Sequence, residues 1–490
     1  MSSVAVVHYV GATQRSRSVV ASLLADLVDA GDKVTLIDIG SFTTISQDFP
    51  PTPLVKLLGH RVHHQAFPDA LTNMGVSYHR LKAHPTHLHR PSPRQWLVCQ
   101  EAIESELLTY FRRESLVPET GAIASLRSAL SRQTLACFDA LSRALESLDP
   151  ERVLIPNGRT SRQKAARLAC EERNIDVRFY ENGRAKSNSY YAGKTQPHDR
   201  LASQAEVGTL LEGHTTESII AMASLWLQER MNPGSETNTF STAWKNLKDI
   251  SSPLKTQNAQ PVAVFFTSSA DEFKAFGPMW KTDSWVGQFE AFDLIMGLLQ
   301  EKDCALVLRV HPNLSGKSRA YFLKTLENIR ALQRNHPRLV VHWHNSPINS
   351  YDLVLNADYV IAERSTIGVE ANLMGKPVWI NQASQWDLVA DVRQVLTQSD
   401  ITAENFVPWQ VDPLGAQRFV AYWVLQEKPL RFTWKDWSTW NPERPPLRMQ
   451  IASLATKNSW RHRLHLVQLH WDGVRNARFS ARGDKGKPIV

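Results

Sequence analysis

The feature that most constrains the fold of this chain is an alternation of short apolar runs with amphipathic segments. Residues 3–11, SVAVVHYVG, are predicted to form a strand, and residues 33–40, KVTLIDIG, are predicted to form a second one. Between them, residues 15–31 carry apolar side chains three and four positions apart and end at Gly31, which is typical of a helix. A strand, a helix and a second strand in this order predict a parallel sheet with crossover helices.

The same alternation recurs in two series. The first series continues with a helix, a strand, a helix and a strand, predicted at 122–148, 152–159, 161–174 and 176–184. The strands of the second series are predicted at 261–269, 304–312, 339–344, 359–363 and 376–380. The polar segment MNPGSETNTFS at 231–241 breaks the pattern between the two series, so the linker between the domains is expected within about 230–260.

The sequence therefore predicts an α/β protein with two Rossmann-like domains facing a central cleft. The first domain is expected at 1–245 with helical insertions, the second at 246–428, and a Trp-rich, basic, helical C-terminal extension at 429–490. In open parallel sheets ligands bind beyond the carboxyl ends of the strands, so polar residues at those ends are candidates for the functional site.

Composition limits the cellular context. No run of 18 uncharged apolar residues occurs among the 490, and the N-terminus lacks the basic start and apolar core of a secretory signal. The four cysteines show no CxxC spacing and are expected to be buried thiols. These features favour a cytoplasmic protein.

The net charge of +8 is concentrated near the C-terminus, where residues 461–487 hold seven Lys or Arg against two Asp. Apolar residues of this region fall on one helical stripe: Trp460, Leu464, Val467, Trp471 and Val474. Such a helix can rest on an anionic membrane surface at the inner face of the plasma membrane, or it can pack on the protein itself. A nucleic-acid partner is not expected, because the basic charge is confined to this tail.

Two segments place polar side chains where strands of the second series end. In RVHPNLSG at 309–316, Arg309 and His311 follow an apolar run, and Pro312 stops the strand. Ser365 and Thr366 are expected at the N-terminus of a helix, where free N–H groups favour a phosphate, with Glu370 one turn further in to accept from a ribose hydroxyl. A strand-capping histidine, an ordinary helix cap and a solvated glutamate are the alternatives.

The order R-x-HP at 309–312, NSPINSYDLVLNADYVI at 345–361 and STIGVEANLMGKPV at 365–378 resembles bacterial capsule and surface-polysaccharide glycosyltransferases of GT-B architecture. It is similar to the capsule polysaccharide biosynthesis group that includes the Kdo transferases. The resemblance covers roughly 261–380 well and the first half only loosely. It implies that His311, Ser365 and Thr366 hold the nucleotide phosphate of a donor, and that Glu370 contacts its ribose. Arg309, Ser268 and Ser269 are further candidates for donor binding.

Candidate catalytic carboxylates stand at two places. Asp271 and Glu272 follow a strand in FFTSSADEFKAFG and resemble the acidic motif of sialyltransferase-like families, in which a carboxylate is the general base. They are equally suited to capping the following helix. Glu181 ends a strand of the first domain and is the competing candidate. Asn157, Arg159 and Arg184 are candidates for binding the acceptor.

Several motifs are missing from the sequence. Neither GxxxxGK[ST] nor a GxGxxG after a strand occurs, which argues against ATPase and dinucleotide-binding readings. No DxD occurs either, so we expect no metal and no cofactor beyond a nucleotide-sugar co-substrate. The resemblance favours a CMP-sugar and leaves UDP- and GDP-sugars open. Seven histidines between His60 and His89 are expected in a surface loop or helical insertion, with a zinc site as the alternative.

The resulting prediction is a GT-B glycosyltransferase that moves a sugar from a nucleotide-activated donor to a growing surface polysaccharide or lipid-linked glycan. One alternative is a nucleotide-sugar 2-epimerase or glycerophosphotransferase on the same scaffold. The other is a non-catalytic protein that binds nucleotide or glycan during polysaccharide assembly or export.

Overall fold

The computed structural model describes residues 2–9, 14–39, 71, 73–81, 90–111, 115–117, 119–185, 188–232, 260–277, 280, 285, 287–432, 471–472 and 475. The elements up to residue 232 are β1 (Ser3–His8), α1 (Gln14–Asp29), β2 (Lys33–Asp38), β3 (Ser77–Arg80), α2 (Pro93–Phe111), α3 (Gly121–Leu148), β4 (Arg152–Pro156), α4 (Ser161–Glu171), β5 (Asp176–Asn182), β6 (Ser189–Gly193), α5 (Arg200–Leu210) and α6 (Thr216–Met231).

The remaining strands and α-helices lie between residues 262 and 429. They are β7 (Val262–Phe266), α7 (Ala270–Lys274), α8 (Gln288–Glu301), β8 (Ala305–Arg309), α9 (Arg319–Asn335), β9 (Val340–His342), α10 (Ser350–Asn356), β10 (Tyr359–Ala362), α11 (Thr366–Leu373), β11 (Val378–Ile380), β12 (Arg393–Gln394), α12 (Leu414–Gln426) and β13 (Glu427–Pro429).

Two sheets organise these elements. The first has the strand order β3-β2-β1-β4-β5-β6-β13, parallel from β3 to β5, with β6 antiparallel to both its neighbours. The second has the order β9-β8-β7-β10-β11-β12 and is parallel throughout. Counted from its own first strand, each sheet contains the order 3-2-1-4-5-6 of a Rossmann fold, although strand 6 of the first sheet is antiparallel. The predicted α/β class with two Rossmann-like domains is confirmed.

Each sheet has a topological switch point, where successive connections lead to opposite sides of the first strand. The switch point lies between β1 and β4 in the first sheet and between β7 and β10 in the second. The residues that follow β7 and β10 therefore flank the place where this fold class binds ligands.

Helices α5 and α6 pack with the second sheet, although they precede the predicted boundary. Val207 of α5 and Trp226 of α6 belong to the same apolar core as Val264 of β7 and Phe419 of α12. The side chain of Trp226 lies 6.3 Å, ring centre to ring centre, from Trp423. The predicted boundary at 245/246 itself lies outside the described residues.

The chain returns to the first sheet after α12. Strand β13 pairs antiparallel with β6, with Glu427 opposite Tyr191. Most of the predicted C-terminal extension lies outside the described residues, as do six of the seven histidines between His60 and His89. Asp472, one of three residues described in the tail, accepts a hydrogen bond from the Arg319 N–H at the start of α9, at 2.8 Å. At this residue the tail lies on the protein. Within the described ranges, no helix combines the length and apolarity needed to cross a membrane.

Candidate active site

A side-chain hydrogen bond crosses the switch point of the second sheet and joins the residues that follow its two central strands. The Ser268 hydroxyl, after β7, donates to a carboxylate oxygen of Glu363, after β10. The Ser268 N–H donates to Oε1 of Gln288 in the first turn of α8, at 3.0 Å. Ser268 was predicted to bind a donor. In the structure it is buried, and both its hydroxyl and its N–H donate hydrogen bonds within the protein.

The imidazole of His311 lies at the same edge of the sheet. Its Nδ1 accepts from the Asn313 N–H at 3.2 Å and lies 3.4 Å from the Ser269 hydroxyl. Burial lowers the pKa of His311 to about 4, and the positive charges of Lys317 and Arg309 lower it further, against the opposing effect of Glu272. Because Nδ1 accepts a hydrogen bond, the neutral ring carries its proton on Nε2 and can donate from there.

Arg309 supplies a buried positive charge two residues earlier. Arg309 is 5% exposed, and its guanidinium donates to the backbone carbonyls of Trp343 and Ser346. Its Nε has no hydrogen-bond partner among the described residues, and burial lowers its pKa to about 10. A buried cation without a carboxylate partner favours a bound anion, because the anion offsets the cost of removing the charge from water.

The N-terminus of α11 lies on the other side of β7. Ser365 is the N-cap residue and makes no side-chain capping bond, while Thr366, the first helical residue, is exposed. Neither hydroxyl makes a hydrogen bond to any residue that the structure describes. The helix therefore begins where the sequence predicts, and its hydroxyls and first-turn N–H groups can donate to a ligand.

Glu370 does not have the environment that the ribose prediction requires. The residue is 2% exposed, and its carboxylate accepts from Arg230 at 2.8 Å from Nη2 and 3.1 Å from Nε. Helix α6 packs against α11 and brings this arginine to it. The expected ribose contact is therefore corrected: the carboxylate of Glu370 is committed to a buried ion pair.

The two acidic residues after β7 are both in the short helix α7. The Glu272 carboxylate forms an ion pair with Nζ of Lys317 at 2.8 Å, and the lysine side chain is only 2% exposed. The side chain of Asp271 lies outside the part of the chain that the structure describes. Glu272 is thus placed beside His311, where its charge stabilises a buried ammonium.

The first sheet contributes a second polar cluster, and three predicted residues meet in it. The Asn157 amide donates to Oε1 of Glu181 at 2.7 Å, and the Arg184 guanidinium donates to Oε2 at 3.3 Å. Asn157 has a positive φ of 53°, in the left-handed region that asparagine tolerates. The residue at their centre is His198, with Nε2 3.0 Å from the Asn157 amide nitrogen and Nδ1 3.3 Å from Nη2 of Arg184.

His198 also joins the two sheets. Its ring stacks on Phe276 at 4.0 Å between centres, and its carbonyl accepts from Nε1 of Trp280 at 2.8 Å. Burial, with the charges of Arg184 and Arg159, holds the pKa of His198 well below its usual value, so the ring is neutral. The third acceptor candidate, Arg159, lies over the same Phe276 ring at 5.1 Å.

Further contacts fix this junction. Arg184 donates to Oε1 of Gln385, which follows β11, at 2.9 Å, and Nε2 of Gln385 donates to the Pro197 carbonyl at 2.8 Å. The polar clusters at the carboxyl ends of both sheets are therefore held on opposite sides of one junction, which is the arrangement that a two-substrate enzyme needs.

Sequence reasoning missed three polar residues at this edge of the first sheet. His198 precedes the helix cap Asp199, whose side chain accepts from the Ala202 N–H at 3.0 Å, so the pattern PHD before a helix was the available signal. His8 and Asp38 end β1 and β2; His8 Nδ1 lies 2.9 Å from the Tyr180 hydroxyl. Within the described ranges no group of three or more metal-ligating side chains occurs.

Two Rossmann-like sheets, with polar residues of both meeting at their carboxyl ends, define a GT-B type of α/β protein. No protein-family model matches the chain, and no curated protein matches it. The chain is structurally similar to a Thermosulfurimonas dismutans KpsC beta Kdo 2,4 transferase, with 14% identity and a TM-score of 0.36 over 56% of this chain and 79% of the other.

Two other solved structures have the same kind of similarity. For UDP-GlcNAc 2-epimerase from Neisseria meningitidis the identity is 14% and the TM-score 0.30, over 82% of this chain and 89% of that one. For the calicheamicin glycosyltransferase CalG4 the identity is 13% and the TM-score 0.25, over 93% of this chain and 94% of that one. All these TM-scores are below 0.5, and the fold assignment rests on the two sheets.

Proposed function

We propose that the protein is a glycosyltransferase that moves a sugar from a nucleotide-activated donor to a growing surface polysaccharide or lipid-linked glycan. One observation carries the proposal: the buried Arg309 guanidinium lies at the end of β8 without a carboxylate partner among the described residues, two residues from a neutral His311. A cation buried in this way at the edge of a Rossmann-like sheet favours a bound anion such as a nucleotide phosphate.

Three kinds of donor would hold that phosphate. Nε2–H of His311 donates from β8, the hydroxyls of Ser365 and Thr366 donate from α11, and the first-turn N–H groups of α11 add the positive end of the helix dipole. Arg309 contributes through its charge, because its Nη atoms already bind backbone carbonyls. Together these groups stabilise the negative charge that develops on the leaving phosphate.

Glu181 is the general base in this proposal. Its carboxylate accepts from Asn157 and Arg184, which fix its orientation at the junction. It takes the proton of the acceptor hydroxyl while that oxygen attacks the anomeric carbon, and the bond from this carbon to the phosphate oxygen breaks with its electron pair on the nucleotide. Glu272 is a weaker candidate because its carboxylate stabilises the buried Lys317.

A thermal-shift panel of CMP, UDP, GDP and CDP tests the phosphate site directly. At least one nucleotide should raise the melting temperature, and His311→Ala and Thr366→Ala should abolish the rise. Thr216→Ala is the matched control, because Thr216 is the first residue of α6 as Thr366 is of α11. Absence of any shift in the wild-type protein contradicts the proposal.

Turnover separates the proposal from its alternatives. Incubation with a nucleotide-sugar alone should leave the sugar unchanged, whereas an epimerase would isomerise it without an acceptor. A protein that binds nucleotide but transfers no sugar to any acceptor glycan, and is unaffected by Glu181→Gln, would be a binding protein.

A further inference from the structure

His198 lies against the two groups that hold the Glu181 carboxylate. Its Nε2 is 3.0 Å from the Asn157 amide nitrogen, and its Nδ1 is 3.3 Å from Nη2 of Arg184. The distance from Nε2 to Oε1 of Glu181 is 3.9 Å, which is too long for a hydrogen bond. An effect of His198 on this carboxylate therefore passes through Asn157 and Arg184.

The ring of His198 can orient these two neighbours, because both present N–H groups to it. The ring is neutral, and a neutral imidazole has one accepting nitrogen, so it accepts from one neighbour and packs against the other. An imidazolium would accept from neither and would place a second positive charge against Arg184. The neutral ring is thus the form that keeps the cluster together.

The position of this ring is set by side chains of the second sheet. Phe276, which follows α7, stacks on the ring at 4.0 Å between centres, with 15° between the two planes. Trp280 donates from Nε1 to the His198 carbonyl at 2.8 Å, and Gln385, after β11, donates to the Pro197 carbonyl at 2.8 Å. Segments that follow strands of the second sheet therefore hold a residue that follows β6 of the first.

The segment that carries Phe276 is itself anchored. The Phe276 ring contacts Phe273 at 5.6 Å and Trp280 at 5.4 Å between centres. The carbonyl of the preceding residue, Ala275, accepts from the Ser105 hydroxyl of α2, and Ala275 is fully buried. The stack on His198 is therefore made by a ring that the surrounding protein keeps in place.

Small changes in the position of Glu181 matter for proton transfer. A general base must lie about 2.6–3.2 Å from the oxygen whose proton it takes, and a misplacement of about 1 Å can cost roughly 10²-fold in rate. The Glu181 side chain is 25% exposed, so a substrate can reach it. Groups that fix its orientation therefore affect the rate without touching the substrate.

We propose that His198 is a positioning residue for Glu181, and that its contacts with the second sheet make the orientation of this carboxylate depend on the junction between the two sheets. His198 exchanges no proton with the substrate in this role. The action of Glu181 as a base rests on the proposed function, whereas the orientation of its carboxylate by His198 does not.

Two replacements separate the parts of this role. His198→Phe keeps a flat ring for the stack on Phe276 and lacks both nitrogens, whereas His198→Gln keeps an accepting oxygen and lacks the ring. We expect His198→Phe to lower kcat about 10²-fold and His198→Gln to recover part of that loss. The KM for the nucleotide-sugar should change little, because the phosphate site is not altered. A rise in KM with kcat unchanged would contradict the proposal.

A double variant shows whether His198 acts through Glu181. The kcat of His198→Phe/Glu181→Gln should equal that of Glu181→Gln, because the carboxylate that His198 positions is already absent. Phe276→Leu, which removes the stack from the side of the second sheet, should lower kcat in the wild-type background and add nothing to Glu181→Gln. Losses that simply add in both double variants would overturn the positioning role.

His336→Phe is the matched control. His336 is a buried histidine whose ring nitrogens also have partners, Gln300 at 3.0 Å and Asp293 at 2.9 Å. It precedes β9 and therefore lies at the edge of the second sheet away from the junction. Its replacement should lower the melting temperature and leave kcat unchanged, which separates a loss of stability from a loss of positioning.

A crystal structure of His198→Phe, or of Phe276→Leu, tests the orientation without any activity. The Glu181 carboxylate should have lost its contact with Asn157 or with Arg184. A displaced carboxylate in a protein that transfers no sugar contradicts the proposed function alone. Sugar transfer that depends on Glu181, with the carboxylate in place and the two losses additive, contradicts the role of His198 alone.

Discussion

The carboxylate of Glu370 lies 2.8 Å from Nη2 of Arg230, and this ion pair joins the helix that begins at the proposed phosphate site to α6. The carboxylate is almost fully buried, so it has no access to a ribose hydroxyl in this structure. The pair therefore positions α11, and the first turn of α11 remains available for a ligand.

Removing one member of this pair should destabilise the protein. Glu370→Gln leaves the Arg230 charge without its partner, and we expect a loss of about 3–5 kcal/mol in the free energy of unfolding. The double variant Arg230→Met/Glu370→Met should regain most of that loss, because it buries no unpaired charge. Urea denaturation measures both, and nucleotide binding by the double variant is the control. A stable double variant that no longer binds nucleotide would restore the ribose role.

Stability should fall as the pH is lowered from 6.5 towards 4, because burial lowers the pKa of His311 to about 4. The unfolded chain binds a proton on this residue near pH 6.5 while the folded chain does not, so protonation favours unfolding through this window. The loss from one such group is up to about 1.4 kcal/mol per pH unit. His344, whose pKa burial also lowers to about 4, adds to the effect.

The variant His311→Gln isolates this contribution. The glutamine oxygen can still accept from the Asn313 N–H and does not titrate, so the dependence of unfolding free energy on pH should become shallower. Equal pH profiles for wild type and His311→Gln would show that this imidazole is not a buried neutral group.

Glu181→Gln should reduce the transfer rate about 10²–10⁴-fold, the usual contribution of a general base. The amide keeps the size of the side chain and can retain the Arg184 contact through its oxygen, so the melting temperature should change little. Steady-state kinetics with a nucleotide-sugar and an acceptor glycan give the measurement. Glu272→Gln is the comparison, and a larger rate loss for Glu272→Gln than for Glu181→Gln would reassign the base to the second domain.

Gly368→Ala should damage the phosphate site through packing. A Cβ at this position would lie 2.5 Å from Cη2 of the buried Trp386, so α11 or the indole must move. Overpacking of this kind costs about 1–3 kcal/mol, and the displacement of α11 should weaken the nucleotide-induced thermal shift. Gly297→Ala in α8 is the control, because its Cβ meets nothing within 4 Å. Full nucleotide affinity in Gly368→Ala would show that α11 does not contact the phosphate.

The positions of most strands and the start of the helix at the proposed phosphate site could be predicted from the sequence, whereas the order of the strands within each sheet was not predicted. Apolar periodicity and turn residues are local signals, so β1, α1 and β2 appear where the sequence predicts them, and α11 begins at Thr366. Asn157, Glu181 and Arg184 were predicted for one site because they follow strands of one sheet, and the structure brings them together.

Contacts between side chains from distant parts of the chain could not be predicted from the sequence. Arg230 and Glu370 are 140 residues apart, and nothing local in either segment indicates that α6 packs against α11. The same holds for His198, which meets Asn157 and Phe276 only when both sheets are in place.

The sequence by itself determined the two α/β series and the strand ends at which polar groups collect, because hydrogen-bonded strands and helices follow from patterns a few residues long. The tertiary structure alone decided which charges are free for a ligand and which are neutralised inside the protein. Pairing of that kind depends on which helices cover each sheet. The sequence around a charged residue does not indicate which distant segment packs against it.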